Sequence, residues 1–301
     1  MIVGGLNLDD LDDMPEQFAK ALPGRVLILD GDGPAYVAAA TVKTVATAVR
    51  RFQKAVLERM FVAQAESALV HLTDECSLKS GRFKIKGVKP YQGQRKSGSK
   101  PPLLTAVREA ATLRENWLNE YDVTMHYKLE ADDGMMYDAY RLKEYGIISS
   151  EDKDLRMTPY WYYDHKTGIT YSPDPIGQLW MDYSTTQAKC LGHSLKFFWA
   201  QMMMGDSADN VKGIITYDGK LCGPTGAFNA LDGLRTIDDC ANLVLDGYRR
   251  INQNPLPEGW FLWMLRWPGD SFWNYLNELA ISPTNRDFLN ECVKRDWFTK
   301  E

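Results

Sequence analysis

The stretch RVLILDGDGPAY, residues 25–36, indicates the class of fold. Its first six residues form a mostly apolar run that ends in Asp30, which is typical of a buried strand in a parallel sheet. The glycines on either side of Asp32 permit a tight turn, and we interpret Asp32 as a residue of that turn. In an open α/β sheet the carboxyl ends of the strands face the crevice where ligands bind. We therefore predict that Asp30 lies in a functional site.

Strand-like and helix-like stretches alternate along the first half of the chain. Further strands are predicted at 67–72, 124–129 and 146–150, and helices at 35–65, 103–119 and 133–145. Because parallel strands are joined by helical crossovers, this order predicts an α/β fold with a mainly parallel central sheet flanked by helices. From about residue 185 the chain is predicted to be mostly helical, and the sequence GDSADN (205–210) is expected to begin a helix.

Further carboxylates follow the predicted strands or begin the predicted helices. They are Asp74, Glu130, Asp132, Asp133, Asp152, Asp154, Asp206 and Asp209. A single acid at such a position could be a helix cap or a turn residue. So many carboxylates in one crevice would repel one another strongly unless cations lay between them. The pattern therefore predicts a site for Mg²⁺ or Mn²⁺, hard cations that prefer oxygen ligands, and we expect two ions.

Charge is unevenly distributed along the chain. The net charge is −5, yet residues 77–104 hold eight basic residues and no acidic one. A basic segment on an acidic protein is typical of a phosphate-binding surface. A solvated surface loop is the alternative interpretation of such a charge run.

Composition excludes several other classes of site. The five cysteines contain no CxxC pair and the four histidines are dispersed, so we expect buried thiols rather than a disulfide framework or a zinc cluster. No apolar run approaches the roughly 18 residues of a membrane span, and the N-terminus lacks the features of a secretory signal. We therefore expect no membrane partner and a cytoplasmic location. The tryptophan-rich last hundred residues are expected to cap a helical core rather than to stack on bases.

Four motifs together resemble a known family. LDGDGPAY (29–36), EADD (130–133), SSEDKD (149–154) and GDSADNVKGI (205–214) occur in the order seen in the flap endonuclease/5′-exonuclease superfamily. The length and the tryptophan-rich tail are most similar to phage-encoded 5′→3′ exonucleases. The resemblance covers residues 25–230 and implies a PIN-like/5′-nuclease fold with a helical helix-three-turn-helix DNA-binding region.

Three parts of the chain are expected from this resemblance. Residues 1–24 would be an acidic N-terminal extension. Residues 25–195 would form a PIN-like nuclease core that carries a basic arch at 77–104. Residues 196–301 would hold the helix-three-turn-helix and a helical C-terminal region.

The resemblance also implies a role for each carboxylate. One ion would be held by Asp30, Asp74, Glu130 and Asp132, and a second by Asp152, Asp154, Asp206 and Asp209. Asp133 would be a supporting member of this metal site. The catalytic residues implied are Asp30, Glu130, Asp132, Asp152, Asp154 and Arg95, and the implied cofactor is a pair of Mg²⁺ or Mn²⁺ ions.

Within the basic segment, KPYQGQRK (89–96) resembles the family's tyrosine-basic-glycine-x-arginine stretch over the active site. Tyr91 would stack on a terminal base, and Arg95 and Lys96 would bind phosphate. Gln92 departs from the family, which usually has lysine at this position. The cation could then come from another lysine of the segment, namely Lys84, Lys86 or Lys89.

The helix-three-turn-helix would run from GDSADNVKGI to CGPTGAFNAL (222–231). Backbone N–H groups near Gly223 and Gly226 would bind duplex phosphates, and a K⁺ ion at this hairpin is a further expectation. Thr225 stands where the family usually has lysine. Lys220, within the additional residues 215–221, could restore that charge.

The activity implied is metal-dependent hydrolysis of DNA phosphodiester bonds from or near a 5′ end. The expected substrates are DNA with a 5′ end, flap or nick and RNA–DNA hybrids, and the expected context is phage DNA replication, recombination or RNA-primer removal. Two alternatives remain open, a PIN-type ribonuclease and a non-catalytic DNA-binding protein with a relic metal site. PIN domains usually lack the GDSADN hairpin, and the core carboxylate set is complete, so a DNA nuclease is favoured.

Overall fold

The computed structural model describes residues 2–3, 6–7, 20–94 and 100–297. Most of the predicted extension at 1–24 lies outside these residues, as do Arg95 and Lys96. Two short strands near the N-terminus, β1 (Ile2–Val3) and β2 (Leu6–Asn7), pair antiparallel. In the described part of the chain, no helix is long and apolar enough to cross a membrane.

A six-stranded sheet forms the centre of the molecule. Its strands are β3 (Val26–Asp30), β4 (Ser67–Thr73), β5 (Tyr121–His126), β6 (Gly146–Ser150), β7 (Trp161–Asp164) and β8 (Ile169–Tyr171). They lie in the order β5-β4-β3-β6-β7-β8, and all neighbours are parallel except β7 and β8. The predicted fold class, a mainly parallel sheet flanked by helices, is confirmed.

Helices flank this sheet and make up most of the second half of the chain. Those described are α1 (Asp32–Ala40), α2 (Val45–Val62), α3 (Leu104–Thr112), α4 (Ala131–Leu142), α5 (Ser194–Met204), α6 (Pro224–Leu231), α7 (Ile237–Arg250), α8 (Leu256–Leu262), α9 (Phe272–Glu278) and α10 (Pro283–Val293). Short 3₁₀ helices lie at Arg114–Asn116, Lys143–Tyr145 and Lys153–Met157, and Lys79–Lys84 forms 3₁₀ turns interrupted at Ser80 and Gly81.

The packing of β3 explains its continuous apolar sequence. Leu27 and Leu29 pack in one cluster with residues of α1, α2 and α3, whereas Ile28 packs on the other side with residues of α4. Successive side chains of a strand point to opposite faces of the sheet. A strand covered by helices on both faces therefore needs an unbroken apolar run, which RVLILD supplies.

Two predicted helices have different limits in the structure. The helix predicted at 35–65 is divided into α1 and α2, because the Thr44 hydroxyl accepts a hydrogen bond from Thr47 N at 3.3 Å and caps a new helix. The helix predicted at 103–119 ends as α3 at Thr112. Asn116 Nδ2 and Trp117 Nε1 donate to backbone carbonyls of the last turn of α3 at 2.8 and 2.9 Å, so the chain folds back there.

The strand predicted at 124–129 begins and ends three residues earlier, as β5. Tyr121 and Val123 are both buried and alternate with exposed residues, so the strand pattern extends further back than we predicted. As a result Glu130 does not follow the strand directly. It is the N-cap residue of α4.

The sequence GDSADN (205–210) does not begin a helix, contrary to prediction. It lies in the loop between α5 and α6, where Asp206 and Val211 exchange backbone hydrogen bonds of 2.9 and 2.7 Å. Gly205 and Asn210 have φ values of 75° and 61°, which an α-helix does not contain. The carboxylates of this segment are therefore presented by a loop.

The second half also contains a hairpin that the sequence did not predict, formed by β9 (Gln178–Asp182) and β10 (Lys189–His193). Four of its ten residues are buried, and Leu179 and Cys190 contribute to the hydrophobic core. The prediction for the tryptophan-rich region agrees with the structure, because Trp263 is buried and stacks on Tyr275 with 4.2 Å between ring centroids. All five cysteines are free, and all but Cys76 are buried.

Candidate active site

A cleft of about 420 Å³ opens at the carboxyl ends of the central strands. The carboxylates on its described surface are Asp30, Asp32, Asp74, Glu75, Glu130, Asp132, Asp152 and Asp209. The cations on the same surface are Lys79, Lys100 and Arg108. The parallel sheet thus gathers acids from distant parts of the sequence, as the strand-end positions predicted.

Asp30 and Asp32 enter the cleft where β3 joins α1. The Asp30 carboxylate accepts hydrogen bonds of 3.0 Å from the Ser150 hydroxyl and from the backbone N–H of Asp32. Asp32 is the first residue of α1, and its carboxylate accepts from Thr73 N at 3.2 Å and pairs with Arg108 at 2.9 Å. It is therefore a fixed part of the cleft wall and not the turn residue that we predicted.

Asp74 follows β4 directly and also lies in the cleft. Its backbone N–H donates to the carbonyl oxygen of His126 at 3.0 Å, which holds it against the end of β5. Its Oδ1 accepts from Cys76 N at 2.8 Å. Asp74 therefore lines the same cleft as the other acids of the first predicted set, although within the described residues no three of these four carboxylates come within 4.8 Å of one another.

The three acids of EADD have different surroundings. The Glu130 carboxylate contacts Lys79 and Arg82, each at 3.0 Å, and Asp132 lines the cleft. Asp133 is fully buried, and both of its oxygens accept from the Arg82 guanidinium at 2.9 and 3.0 Å. These contacts turn Asp133 away from the cleft, which favours its supporting role over direct metal binding.

Three acids lie close together where Asp209 lines the cleft. Asp154, Asp206 and Asp209 each place a carboxylate oxygen within 4.8 Å of the others. The Lys153 ammonium lies between two of them, 2.6 Å from Asp154 and 3.0 Å from Asp206. Asp206 is only 3% exposed, and its Oδ2 has no hydrogen-bond partner among the described residues. A buried carboxylate oxygen without a donor is costly, and a divalent cation would satisfy it, so these residues fit a metal ion.

Asp152 lies between the two groups of acids. It lines the cleft and caps the short helix Lys153–Met157, where its carboxylate accepts from Asp154 N at 2.9 Å. Its own backbone N–H donates to the Ser150 hydroxyl at 2.9 Å. The Ser150 hydroxyl also donates to Asp30, so a single serine fixes one acid of each set.

Burial and mutual repulsion raise the pKa values of several carboxylates in this cluster. Burial, together with the charges of Asp32 and Asp152, raises the pKa of Asp30 to about 6. Burial and the charge of Asp152 raise the pKa of Asp154 to about 8, and the same two causes raise the pKa of Asp132 well above its usual range. Without cations the cluster therefore retains protons that isolated aspartates lose.

Asp133 and Asp206 show the opposite shift. Burial acts to raise the pKa of Asp133, but Arg82 outweighs it and leaves the pKa below the ordinary value. For Asp206, Lys153 outweighs burial in the same way and lowers the pKa. Basic side chains of the protein thus compensate part of the acidic charge.

The base of the basic arch lies directly against the acids. Tyr91 is 6% exposed, and its ring stacks on Phe261 with 5.3 Å between centroids. Its hydroxyl contacts Glu130 at 3.0 Å and Asp209 at 3.1 Å. Gln92 Nε2 donates to Asp209 at 2.9 Å. The ring that we expected to stack on a base is therefore buried against the protein.

Three lysines of the arch, Lys84, Lys86 and Lys89, do not line the cleft. Lys86 pairs with Asp296 at 2.8 Å, which points its ammonium towards the C-terminal end of the chain. Lys84 and Lys89 are exposed. The cleft is instead lined by two other lysines of the arch, Lys79 and Lys100, and the Lys79 ammonium is 2.9 Å from Gln92 Oε1.

The predicted hairpin consists of α5, the loop 205–223 and α6. Gly223 is the N-cap residue of α6, and an added Cβ there would meet no heavy atom within 4 Å. At Gly226 an added Cβ would come within 3.4 Å only of the Cys222 sulfur. Lys220 is exposed in a tight turn with Tyr217. Both glycines at the N-terminus of α6 therefore have space beside their α-carbons.

Sequence reasoning missed four residues of this site. They are Asp32, Lys79, Arg82 and Lys153. Lys153 lies within EDKD, so a cation flanked by two proposed ligands was a usable signal. The positions of Lys79 and Arg82 depend on contacts with residues about 50 positions away, which no local pattern indicates.

No protein-family model and no curated protein matches the sequence. Solved structures of bacteriophage T5 proteins do match. A T5 protein co-crystallized with metal ions is 15% identical with a TM-score of 0.48, and the match covers 90% of this chain and 97% of that one. The T5 5′-exonuclease with bound zinc is 14% identical with a TM-score of 0.45, over 90% and 98% of the two chains.

A third structure is the T5 flap endonuclease in a pseudo-enzyme–product complex with DNA and metal ions. It is 14% identical with a TM-score of 0.47, over 90% of this chain and 100% of that one. The names of these proteins match the family that the four motifs resemble. At such low identities and TM-scores, the chain's own residues must carry the functional assignment.

Proposed function

We propose that this protein is a divalent-metal-dependent nuclease that hydrolyses DNA phosphodiester bonds from or near a 5′ end. The observation that supports it best is the gathering of carboxylates at one edge of the sheet. Asp30, Asp74, Glu130, Asp132, Asp152 and Asp209 line the cleft, and beside Asp209 lie Asp154 and the buried Asp206, whose Oδ2 lacks a donor among the described residues. Burial and mutual repulsion raise the pKa values of several of these carboxylates, and such shifts are common at functional sites.

Each group of carboxylates would hold one Mg²⁺ or Mn²⁺ ion. The first group is Asp30, Asp74, Glu130 and Asp132, and the second is Asp152, Asp154, Asp206 and Asp209. Bound there, such ions would lower the pKa of a water and stabilise charge on the attacking and leaving oxygens. Arg82 and Asp133 fix Glu130 from behind, and Lys153 offsets the charge of the second group.

The surroundings of the cleft support nucleic acid as the substrate. Lys84, Lys86 and Lys89 of the arch are exposed, and Arg95 and Lys96 follow in the sequence. The exposed N-terminus of α6, with Gly223, Gly226 and Lys220, would bind duplex phosphates, with K⁺ as an additional ligand of the hairpin. DNA with a 5′ end, flap or nick fits this arrangement, and RNA–DNA hybrids and a phage replication role belong to the same proposal.

The test is loss of metal-dependent cleavage on removal of two carboxylates. The double variant Asp152→Asn/Asp154→Asn should lose more than about 100-fold in cleavage rate, since even changes behind metal ligands cost 10–100-fold. Its binding to duplex DNA should stay within a few-fold of the original. As a matched control, Asp122→Asn/Asp287→Asn changes two exposed acids, and its cleavage rate should be unaltered. Undiminished cleavage by the first variant would refute the proposal.

A substrate panel separates the proposed activity from its alternatives. A 5′-labelled duplex, a flap, an RNA–DNA hybrid and single-stranded RNA are compared with and without Mg²⁺. The proposal predicts Mg²⁺-dependent cleavage of the duplex or flap. Cleavage of RNA alone would indicate a ribonuclease, and tight DNA binding without cleavage would indicate a non-catalytic protein.

A further inference from the structure

Lys79 holds a distinctive position in the cleft. Its side chain is 19% exposed, and its ammonium lies 3.0 Å from Glu130 Oε1 and 2.9 Å from Gln92 Oε1. The other two cations on the described cleft surface pair with acids outside both proposed metal groups. Lys100 pairs with Glu75, and Arg108 with Asp32. Among these three cations, Lys79 is thus the one whose partner is a proposed metal ligand.

The backbone that carries Lys79 is strained. Lys79, Ser80 and Gly81 have φ values of 48°, 56° and 75°, a left-handed run that costs roughly 1–2 kcal/mol for each residue with a side chain. Hydrogen bonds hold this run in place, because Ser80 N donates to the Lys128 carbonyl at 2.8 Å and the Ser80 hydroxyl donates to Asp133. Strain of this kind persists where the surrounding structure imposes it, often at functional sites.

We propose that Lys79 is a substrate-phosphate-binding residue for which Glu130 acts as a temporary counter-ion. With Glu130 engaged as a metal ligand, the Lys79 ammonium would lose its carboxylate partner but would stay in the cleft through Gln92 Oε1. A half-buried ammonium without an anion is costly, and a phosphodiester oxygen supplies the missing charge. Lys79 would thereby supply a positive charge next to the uncharged Gln92 side chain. This inference rests on the proposed nuclease function.

The hydrogen bonds that fix Gln92 support this change of partner by Lys79. Its Oε1 accepts from Lys79, while its Nε2 donates to Asp209 at 2.9 Å and its backbone N–H donates to the Asp209 carbonyl at 2.8 Å. The glutamine is therefore fixed at both ends of its amide. It can keep the Lys79 ammonium in the cleft when the contact with Glu130 is broken.

The experiment combines a binding and a rate measurement on Lys79→Gln. Mn²⁺ affinity is measured by titration calorimetry on the protein without DNA, and cleavage is measured as a single-turnover rate on a 5′-labelled duplex. We expect Mn²⁺ to bind as tightly as before or more tightly, because a competing ammonium is gone. We expect the cleavage rate to fall about 100-fold, the usual loss on removing one group that stabilises developing charge. Lys79→Arg should restore part of the rate.

The control variant is Lys54→Gln, on the exposed surface of α2, where the lysine is 77% exposed and pairs with Glu58. Both measurements should be unaltered in it. Cleavage by Lys79→Gln at the original rate would refute this inference alone. A joint fall of Mn²⁺ affinity and melting temperature would also refute it, since Lys79 would then be structural. Absence of cleavage by the unsubstituted protein would refute the nuclease function itself, and this inference with it.

Discussion

Arg82 joins the wall of the cleft to the C-terminal helices. It is 3% exposed, and its guanidinium contacts Asp133, Glu130 and the Trp263 carbonyl, the last at 2.8 Å. A guanidinium has a planar set of donors that can bind several acceptors at once. One buried side chain thus fixes the position of a proposed ligand and links the two halves of the molecule.

Replacing Arg82 by glutamine should lower the free energy of unfolding by roughly 3–5 kcal/mol, because the fully buried Asp133 would lose its charge partner. Urea unfolding followed by tryptophan fluorescence measures this. The exposed control Arg50→Gln should change stability by less than about 0.5 kcal/mol. Adding Asp133→Asn to Arg82→Gln should cost less than the sum of the two single changes, since each removes the same pair. Additive losses would show that the pair contributes little.

At the scale of elements, α4 owes its position to a glycine. A Cβ at Gly134 would lie 2.3 Å from the His126 ring and 2.8 Å from His71 Nδ1. These two imidazoles stack with 5.2 Å between centroids and hydrogen-bond to each other at 2.9 Å, so they form a rigid floor on β4 and β5. Without a side chain at 134, the helix approaches the sheet closely enough to bring Glu130 and Asp132 to the cleft.

Gly134→Ala should therefore destabilise the protein by about 1–3 kcal/mol, as overpacking of a filled interior does. Gly33→Ala is the matched control within α1, where an added Cβ meets no heavy atom within 4 Å. That change should leave stability unaltered or raise it by up to about 1 kcal/mol, since glycine weakens a helix. Thermal unfolding of both variants measures the contrast. Equal effects at the two positions would contradict this account of α4.

Some features of these elements could be predicted from the sequence and others could not. Asp30 and Asp152 were placed correctly because a buried strand has a continuous apolar sequence whose end is visible. The predicted limits of α4 and the predicted helical position of Asp206 were wrong, because acids at a helix start and acids in a loop have the same local sequence. The hairpin of β9 and β10 was missed; it packs on α5 and α6 and contributes Leu179 and Cys190 to the hydrophobic core.

At the scale of the whole molecule, Glu258 connects the basic arch to the loop between α5 and α6. This carboxylate is 1% exposed and accepts from Val88 N at 2.8 Å and from Lys212 N and Gly213 N at 3.1 Å. It thus connects the arch, the loop after α5 and α8. No local sequence pattern predicts such a contact, because its three donors are backbone groups that the fold brings together.

The charge of the acid cluster should be measurable as a pH dependence of global stability. Because burial and Asp152 raise the pKa of Asp154 to about 8, the folded protein binds a proton there that the unfolded chain, with an ordinary aspartate, does not. Its stabilising contribution is present at low pH and is lost as pH rises through 8. In EDTA, the original protein should lose about 2 kcal/mol more than Asp154→Asn between pH 6.5 and 9.

Chemical unfolding at several pH values tests this expectation. The buried thiols titrate equally in both proteins, so the difference isolates the carboxylate. Addition of Mg²⁺ should remove most of the slope from the original protein, since a bound cation replaces the proton. Parallel pH profiles in EDTA would contradict the proposed repulsion.

The position of Tyr91 has a consequence for how the two groups of acids respond to one another. Its hydroxyl lies within hydrogen-bond distance of Glu130 in one group and of Asp209 in the other, yet it has a single proton to donate. In the proposed function, a cation bound to either carboxylate would free that proton for the other, and a second cation would then have to displace it. The two sites would therefore be linked with negative cooperativity, and substitution of Tyr91 by phenylalanine should weaken this linkage in a metal titration.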